Sequence, residues 1–352
     1  MTARVAFADF SADLLSSVRV LRDAIGAAGG EIRDDMRDAN VLVFGDYGGS
    51  HRSFDGTKVH YTAENYRPRW TNTDFSIGYD YVDDSRYLRL PLPVVFAYAD
   101  VVDGFAAPPR KDWAERSFCN FVYFRPGTRM RRALFNELAG YRPVTSPGRF
   151  LNNASAPGIH DPSVHWRHSK IPYQAGFRFT IAAENGAFPG YTSEKLYDAL
   201  IAGTIPIYWG DPRVADDVDE RAFINVSSYA TLKDVVDAVA EIDRHPELAQ
   251  PYLDARPFMR TGVDEWFART VDTFTRVFEH AELHRSDPAQ AARARRLTAD
   301  AGRVLRVATT MRAIPRTISS LDKRWLGGRL HRAYDRVPGA RRIARAIRGP
   351  GF

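Results

Sequence analysis

Apolar and polar positions change period repeatedly along the first half of the chain. Val5 to Phe10 is a short apolar run that reads as a buried strand. Ala12 to Ala28 repeats apolar side chains at helical spacing and stops at Gly29-Gly30. Val41 to Phe44 is apolar throughout and ends at Gly45, and Lys58 to Thr62 and Asp74 to Tyr81 read as further strands. Arg86 to Leu92 leads into a segment broken by Pro91, Pro93 and Asp100, so the most apolar stretch, Leu90 to Val102, is too interrupted to span a bilayer. Ala106 to Lys111, with Pro108 and Pro109, reads as a linker. The pattern then restarts with a strand over Phe118 to Phe124 and an amphipathic helix over Thr128 to Gly140. A long helix from Val263 closes the second half at His280 or Leu283. This alternation predicts an α/β chain with two sheets: a first Rossmann-like domain over 1–114, a second over 115–282 and a tail over 283–352. No short repeat of fixed period is present.

One stretch organises the second half. Phe177 to Ala183 alternates apolar side chains with Arg178 and Thr180 and ends in Glu184-Asn185. Gly186, Pro189 and Gly190 break the chain, and Tyr191 to Lys195 opens a helix carrying Leu196, Ala199, Leu200 and Ala202 on one face. Thr192 or Ser193 suits the N-cap and Gly203 the stop. Thr204 to Trp209 is a second strand, turned by Gly210-Asp211-Pro212. A β-α-β unit makes the two strands parallel and gathers the polar cluster at their carboxyl ends. Free N–H groups at a helix start, with Lys195 beside them, suit an anion; Glu194 or Glu184 suits sugar or ribose hydroxyls. An ordinary solvated first turn would use the same residues.

Composition narrows the class. The chain has 352 residues, 44% hydrophobic and 26% charged, as in a folded globular protein. A lone cysteine, Cys119, excludes an internal disulfide framework and fits a reducing compartment. The opening MTARVAFADF lacks the long apolar core of a secretory signal. The net charge of +6 is uneven: residues 285–352 hold 17 Lys and Arg against 4 Asp, a net of +13, which leaves −7 for the rest. An acidic body is unsuited to nucleic acid. The tail sets Leu297, Val304, Ala308 and Met311 at helical spacing among arginines, which predicts a basic amphipathic segment on an anionic membrane surface. A pair of helices packed on the body, or a solvated tail, would share that composition.

The run AAENGAFPGYTSEKLYDALIAGTIPIYWGDP resembles the donor-site motif of the α1,3/4-fucosyltransferases, glycosyltransferase family 10, and their bacterial members most closely. The family pattern is F-E-N, a loop, Y-[IV]-T-E-K, a helix and a [VI]-P-[VI]-x-x-G strand. Here Tyr191-Thr192-Ser193-Glu194-Lys195 departs in order but keeps a hydroxyl before Glu194. Bacterial members also carry T-G-E-N, then D-[YF]-[AS]-I-G-[YF]-D, then R-Y-L-R-[ML]-P. This chain has Thr62-Ala63-Glu64-Asn65, then Asp74 to Asp80 (DFSIGYD), then Arg86 to Pro91 (RYLRLP).

The resemblance implies a GT-B fold of two Rossmann-like domains facing a cleft, with acceptor on the first and GDP-sugar on the second. It implies inverting transfer of L-fucose from GDP-L-fucose to a glycan hydroxyl, α1,3 or α1,4 on GlcNAc or Glc, in surface polysaccharide or glycolipid synthesis. Glu64 inherits the role of general base. Tyr191, Ser193, Glu194, Lys195, Glu184 and Asn185 inherit the donor site. Asn152 follows the family's Asn-Asn, and Arg149 is the candidate phosphate cation, with Arg178 as a substitute. Some relatives place that arginine where Leu151 stands.

No metal or cofactor is expected to be obligatory, because Lys195, an arginine and a helix start can meet the charge of a departing diphosphate; Mn2+ or Mg2+ would at most stimulate. Asp217-Val218-Asp219 is read as part of a solvated acidic turn, and the histidines 160, 165 and 168 as a weak surface cluster at most. Tyr47, Tyr61, Tyr66, Trp70, Phe75 and Tyr81 crowd the region of Glu64, mostly as core and in part as sugar platforms. The expected location is cytoplasmic, peripheral on the membrane. A transferase of another GDP-sugar, or a non-catalytic protein that binds glycan or membrane, is the alternative.

Overall fold

A computed structural model describes residues 2–286, except 12–17, 69, 71, 157, 160–165 and 257. The basic tail, and the membrane contact expected of it, lie outside the described residues. Two parallel sheets face each other, which is the expected GT-B arrangement. The first holds β1 (Arg4–Ala8), β2 (Glu31–Arg33), β3 (Val41–Phe44), β4 (Thr57–Tyr61), β5 (Phe75–Gly78) and β6 (Tyr87–Arg89) in the order β2-β1-β3-β4-β5-β6. The second holds β7 (Ser117–Asn120), β8 (Val144–Thr145), β9 (Phe177–Ala183), β10 (Ile205–Trp209) and β11 (Ile224–Asn225) in the order β11-β10-β9-β7-β8. All named pairings are parallel. Parallel strands are covered on both faces, so β3 reads as an unbroken apolar run, buried at every residue.

The first core combines Val41, Val43, Val59 and Ile77 of the sheet with Val20, Leu21, Ala24 and Ile25 of α1 (Arg19–Ala27). Helix α2 (Leu92–Val102) was not expected, because Pro91 and Pro93 read as breakers. Both stand at its start, where a missing N–H costs nothing. Helix α3 is Arg129–Tyr141, α4 is Trp166–Gln174, α5 is Glu194–Ile201, α6 is Leu232–Arg244 and α7 is Gln250–Asp254. The last described helix, α8 (Val263–Ser286), follows the second sheet in sequence but crosses back. Its Trp266, Phe274, Val277 and Ala281 are buried in the first core, and His280 faces Phe75 edge-on at 5.4 Å. By packing, therefore, α8 belongs with the first sheet, although the expected second range, 115–282, contains most of it. Among the described residues, no helix is long and apolar enough to cross a membrane.

Several contacts tie the halves together around a cleft. Tyr79, beyond β5, meets Tyr191 edge-on at 5.0 Å, inside a small cluster with Leu92. Gly190 approaches Tyr79 so closely, at φ +84, that a Cβ would lie 2.4 Å from the Tyr79 carbonyl oxygen. Arg89 clamps Asp217 with two hydrogen bonds, one of them 2.8 Å long, while Tyr81 donates to Asp216 at 3.0 Å. Of the acidic run, Asp216 and Glu220 are exposed, as expected of a solvated turn, but Asp217 is not. Asp217 is buried against Arg89, and Asp219 is paired with Arg221.

Candidate active site

The β9–α5 connection is built from the inside out. Glu184, directly after β9, is fully buried. Its Oε1 accepts the Ser193 N–H at 2.7 Å and its Oε2 accepts the Ser193 hydroxyl at 2.6 Å. Gly210 makes room: a Cβ there would sit 2.4 Å from the Glu184 Cγ. Glu184, expected in the donor site, thus stands behind the cleft lining rather than in it. Both its oxygens hold the start of α5. Ser193 is the N-cap, and the loop before it is pinned by Asp211, which accepts from Gly190 N–H at 2.8 Å and from the Thr192 hydroxyl at 3.1 Å. Burial raises the pKa of Asp211 despite those donors.

Lys195 sits among this framework. Its Nζ is 2.9 Å from Ser193 Oγ, 3.0 Å from Glu194 Oε1 and 3.4 Å from Glu184 Oε2. Burial disfavours its charge, but Glu194 and Glu184 outweigh that and hold the ammonium well above the ordinary lysine range. Burial raises the Glu194 pKa as well, yet Lys195 and Lys170 win and hold it at about 2. Asn185 is exposed, and its side-chain oxygen accepts from Arg131 Nη2 at 2.6 Å. Arg131 is itself buried and donates to the Ala183 carbonyl at 3.0 Å, so it fixes the end of β9.

These residues form one wall of a cleft of about 490 Å³. Asn185, Tyr191, Ser193, Glu194 and Lys195 line it from the second half, and Ala63 and Glu64 from the first. Helix α2 supplies the floor with Leu92, Phe96, Ala99 and Asp100 at helical spacing. There Asp100 receives both Arg167 Nη atoms at 2.8 and 2.9 Å, and Asp198 ties Arg167 to Lys170. Glu64, three residues past β4, is partly buried, and its Oε1 accepts the Tyr47 hydroxyl at 2.8 Å. Of the aromatic residues near Glu64, Tyr61, Trp70 and Phe75 are core, whereas Tyr47 and Tyr66 are about half exposed.

Besides Glu184, two predicted residues, Arg149 and Asn152, lie outside the cleft lining. Arg149 is exposed on the loop after β8, 5.8 Å above the Phe124 ring, and no carboxylate pairs with it among the described residues. Asn152 shapes that loop rather than facing the cleft: its amide donates to the carbonyls of Pro147, Gly148 and Ala154. Leu151 takes a left-handed backbone, φ +54, and packs partly buried against the second core. Arg178 is no substitute for Arg149. It stands at the start of β9, where its guanidinium serves the Trp113 carbonyl and Asp243. Sequence reasoning missed Asp211, Arg131 and the Asp100–Arg167–Asp198 cluster. Only Asp211, in a Gly-Asp-Pro turn, carries a local signal.

A family model described as glycosyltransferase family 10 (fucosyltransferase), C-terminal part, matches residues 115–292. One described as the alpha-(1,3)-fucosyltransferase FucT N-terminal domain matches residues 5–96. The chain is 28% identical over 260 residues to alpha-(1,3)-fucosyltransferase FucT of Helicobacter pylori, covering 63% of this chain and 52% of that protein. It is 23% identical over 217 residues to alpha-(1,3)-fucosyltransferase B of Drosophila melanogaster, covering 55% and 47%. The chain thus spans about half the length of these curated relatives. A crystal structure of an alpha1,3-fucosyltransferase superposes with a TM-score of 0.66 at 23% identity, over 79% of this chain and 90% of that one. The crystal structure titled with GDP-fucose gives 0.61 at 20%, over 77% and 90%. At such identity the superpositions speak to the fold.

Proposed function

Since the chain belongs to glycosyltransferase family 10, the fucosyltransferases, we propose that it moves L-fucose from GDP-L-fucose to a hydroxyl of an oligosaccharide, polysaccharide or glycolipid acceptor. The observation that carries this reading is the meeting of Glu64 and the Glu194–Lys195 helix start across one cleft. The reaction is a single displacement with inversion. Glu64 takes the acceptor proton as the acceptor oxygen bonds to the anomeric carbon, and the bond from that carbon to the β-phosphate oxygen breaks. GDP leaves with the electron pair of that bond. Lys195 and the N–H groups opening α5 meet the charge that develops on it. Arg149, exposed and with no carboxylate partner among the described residues, is placed to close on the diphosphate. Glu194 and Asn185 suit ribose or fucose hydroxyls, with Tyr191 behind them. Glu184 acts through Ser193 and Lys195.

The acceptor hydroxyl is O3 or O4 of a GlcNAc or Glc unit, and the alpha-(1,3) in the relatives' names favours O3. A metal is not required, because fixed cations already serve the leaving group; the carboxylates of Asp217 and Asp219 are engaged by arginines. The charge of +13 over 285–352 draws the protein to anionic membrane, which a vesicle flotation assay reads directly.

The deciding experiment is GDP release from GDP-fucose with a panel of N-acetyllactosamine-type and simple sugars, in the wild type and Glu64→Ala, with and without EDTA. Acceptor-dependent turnover should fall by about 10²–10⁴ in the variant and persist in EDTA. Turnover with a different GDP-sugar alone would replace the donor, and failure to bind any guanine nucleotide would sink the reading.

A further inference from the structure

We propose that Tyr47 is the positioning residue for Glu64, holding one carboxylate oxygen so that the other is left to take the acceptor proton, and that Asp46 beside it fixes the same loop through Thr62. This rests on the reading of Glu64 as the base. The chain leaves β3 at Phe44 and turns, with the Tyr47 N–H bonded to the Asp9 carbonyl at 2.9 Å. That turn sends two consecutive side chains to the Glu64 loop. Asp46 Oδ2 accepts the Thr62 hydroxyl at 2.6 Å, and Thr62 Oγ1 in turn accepts the Glu64 N–H at 3.3 Å. Asp46 Oδ1 lies 3.1 Å from His60 Nε2, and His60 Nδ1 lies 3.4 Å from Ser76 Oγ, so β4 and β5 anchor the carboxylate. The backbone of Glu64 is thereby set from one side and its carboxylate from the other, by Tyr47 at 2.8 Å. Among the described residues Glu64 Oε2 accepts no hydrogen bond.

Tyr47 is 51% exposed, which a tyrosine kept for packing would not be. Burial and the bond to Glu64 push the phenol itself up to about 12, so it remains a donor through the neutral range. Other charged or titratable groups around Glu64 include Tyr66 and Asp46 on its own wall, Tyr191, Glu194 and Lys195 across the cleft, and Asp100, Asp103, Arg167 and His168 farther along its lining.

The test is the acceptor-dependent steady-state kinetics of Tyr47→Phe, which keeps the ring and removes only the donor. Its kcat should fall several-fold, with the KM for GDP-fucose, GDP affinity and the melting temperature unchanged. An unaltered kcat overturns the proposal. Glu64→Gln is measured alongside. If Glu64→Gln loses turnover while Tyr47→Phe keeps the wild-type kcat, only the role of Tyr47 fails. If Glu64→Gln keeps full turnover, the base reading fails and this one with it. Asp46→Asn, close in shape, should lower kcat several-fold with the KM for GDP-fucose unchanged; an unaltered kcat removes Asp46 from the proposal.

Discussion

The two walls of the cleft are built on different principles. On the second sheet's side, buried Glu184 and Ser193 and partly buried Glu194 and Lys195 form a mutually bonded set in which both carboxylates lean on one ammonium. On the first sheet's side, Glu64 stands partly open, held through one oxygen by a half-exposed tyrosine. A wall that receives a diphosphate of fixed shape gains from rigid, desolvated charge, whose field is stronger out of water. A wall that admits a glycan and passes a proton must keep an oxygen accessible. Stability and activity should therefore be coupled on the donor wall and separable on the base wall.

Lys195→Ala should produce the largest effect and strike both properties. Losing a fixed cation at the leaving group should lower kcat by about 10²–10³. It also leaves Glu184 buried without its partner, a defect of about 3 kcal/mol, visible as a lower midpoint in urea. A variant that loses turnover at wild-type stability would break the idea of an interlocked wall.

Arg89→Ala tests how the walls are held in register. The Arg89–Asp217 clamp joins β6 to the segment after β10 and is largely buried. Its loss should cost about 3 kcal/mol, because Asp217 stays behind unpaired. Two separate thermal transitions, in place of one, would show that this clamp couples the two sheets. Unchanged melting would place the coupling in the Tyr79–Tyr191 contact instead.

Arg149→Ala is the counterpart on an exposed loop. Its removal should lower kcat/KM by about 10-fold and leave the melting temperature within error, as exposed substitutions do. A fall in stability would mean that Arg149 shapes its loop, as Asn152 does.

What could be read ahead of the structure follows from sequence distance. The β9–α5–β10 unit was legible because its strand, cap, helix and second strand are contiguous, and each obeys its own local period. The Glu64 segment was legible by its order of motifs. The contacts that join these pieces were not. Arg89 and Asp217 are 128 positions apart, and nothing near either predicts the other. Helix α8 looks like the close of the second domain until its apolar stripe is seen against β4 and α1. Helix α2 was hidden by prolines that only its first turn could accept. Glu184 is a different case. Its residue type and place fit a sugar ligand, and its complete burial with both oxygens bonded to Ser193 is visible only in the structure.

The smallest effect lies in that same pair of carboxylates. Glu194 is held at about 2, below its ordinary 4.5, since Lys195 and Lys170 outweigh the effect of burial. A depressed carboxylate contributes its stabilisation fully above the ordinary value and loses it as pH falls toward the depressed one. The wild type should thus lose stability between pH 4.5 and about 2 more steeply than Glu194→Gln, which has nothing to protonate there. The gap should be only about 1 kcal/mol, because Glu184 still pairs with Lys195 once Glu194 is neutral. Melting curves of the two proteins that run parallel through that window would show Lys195 leaning on Glu184 alone, and would move Glu194 from the framework of the wall to its ligand-facing side.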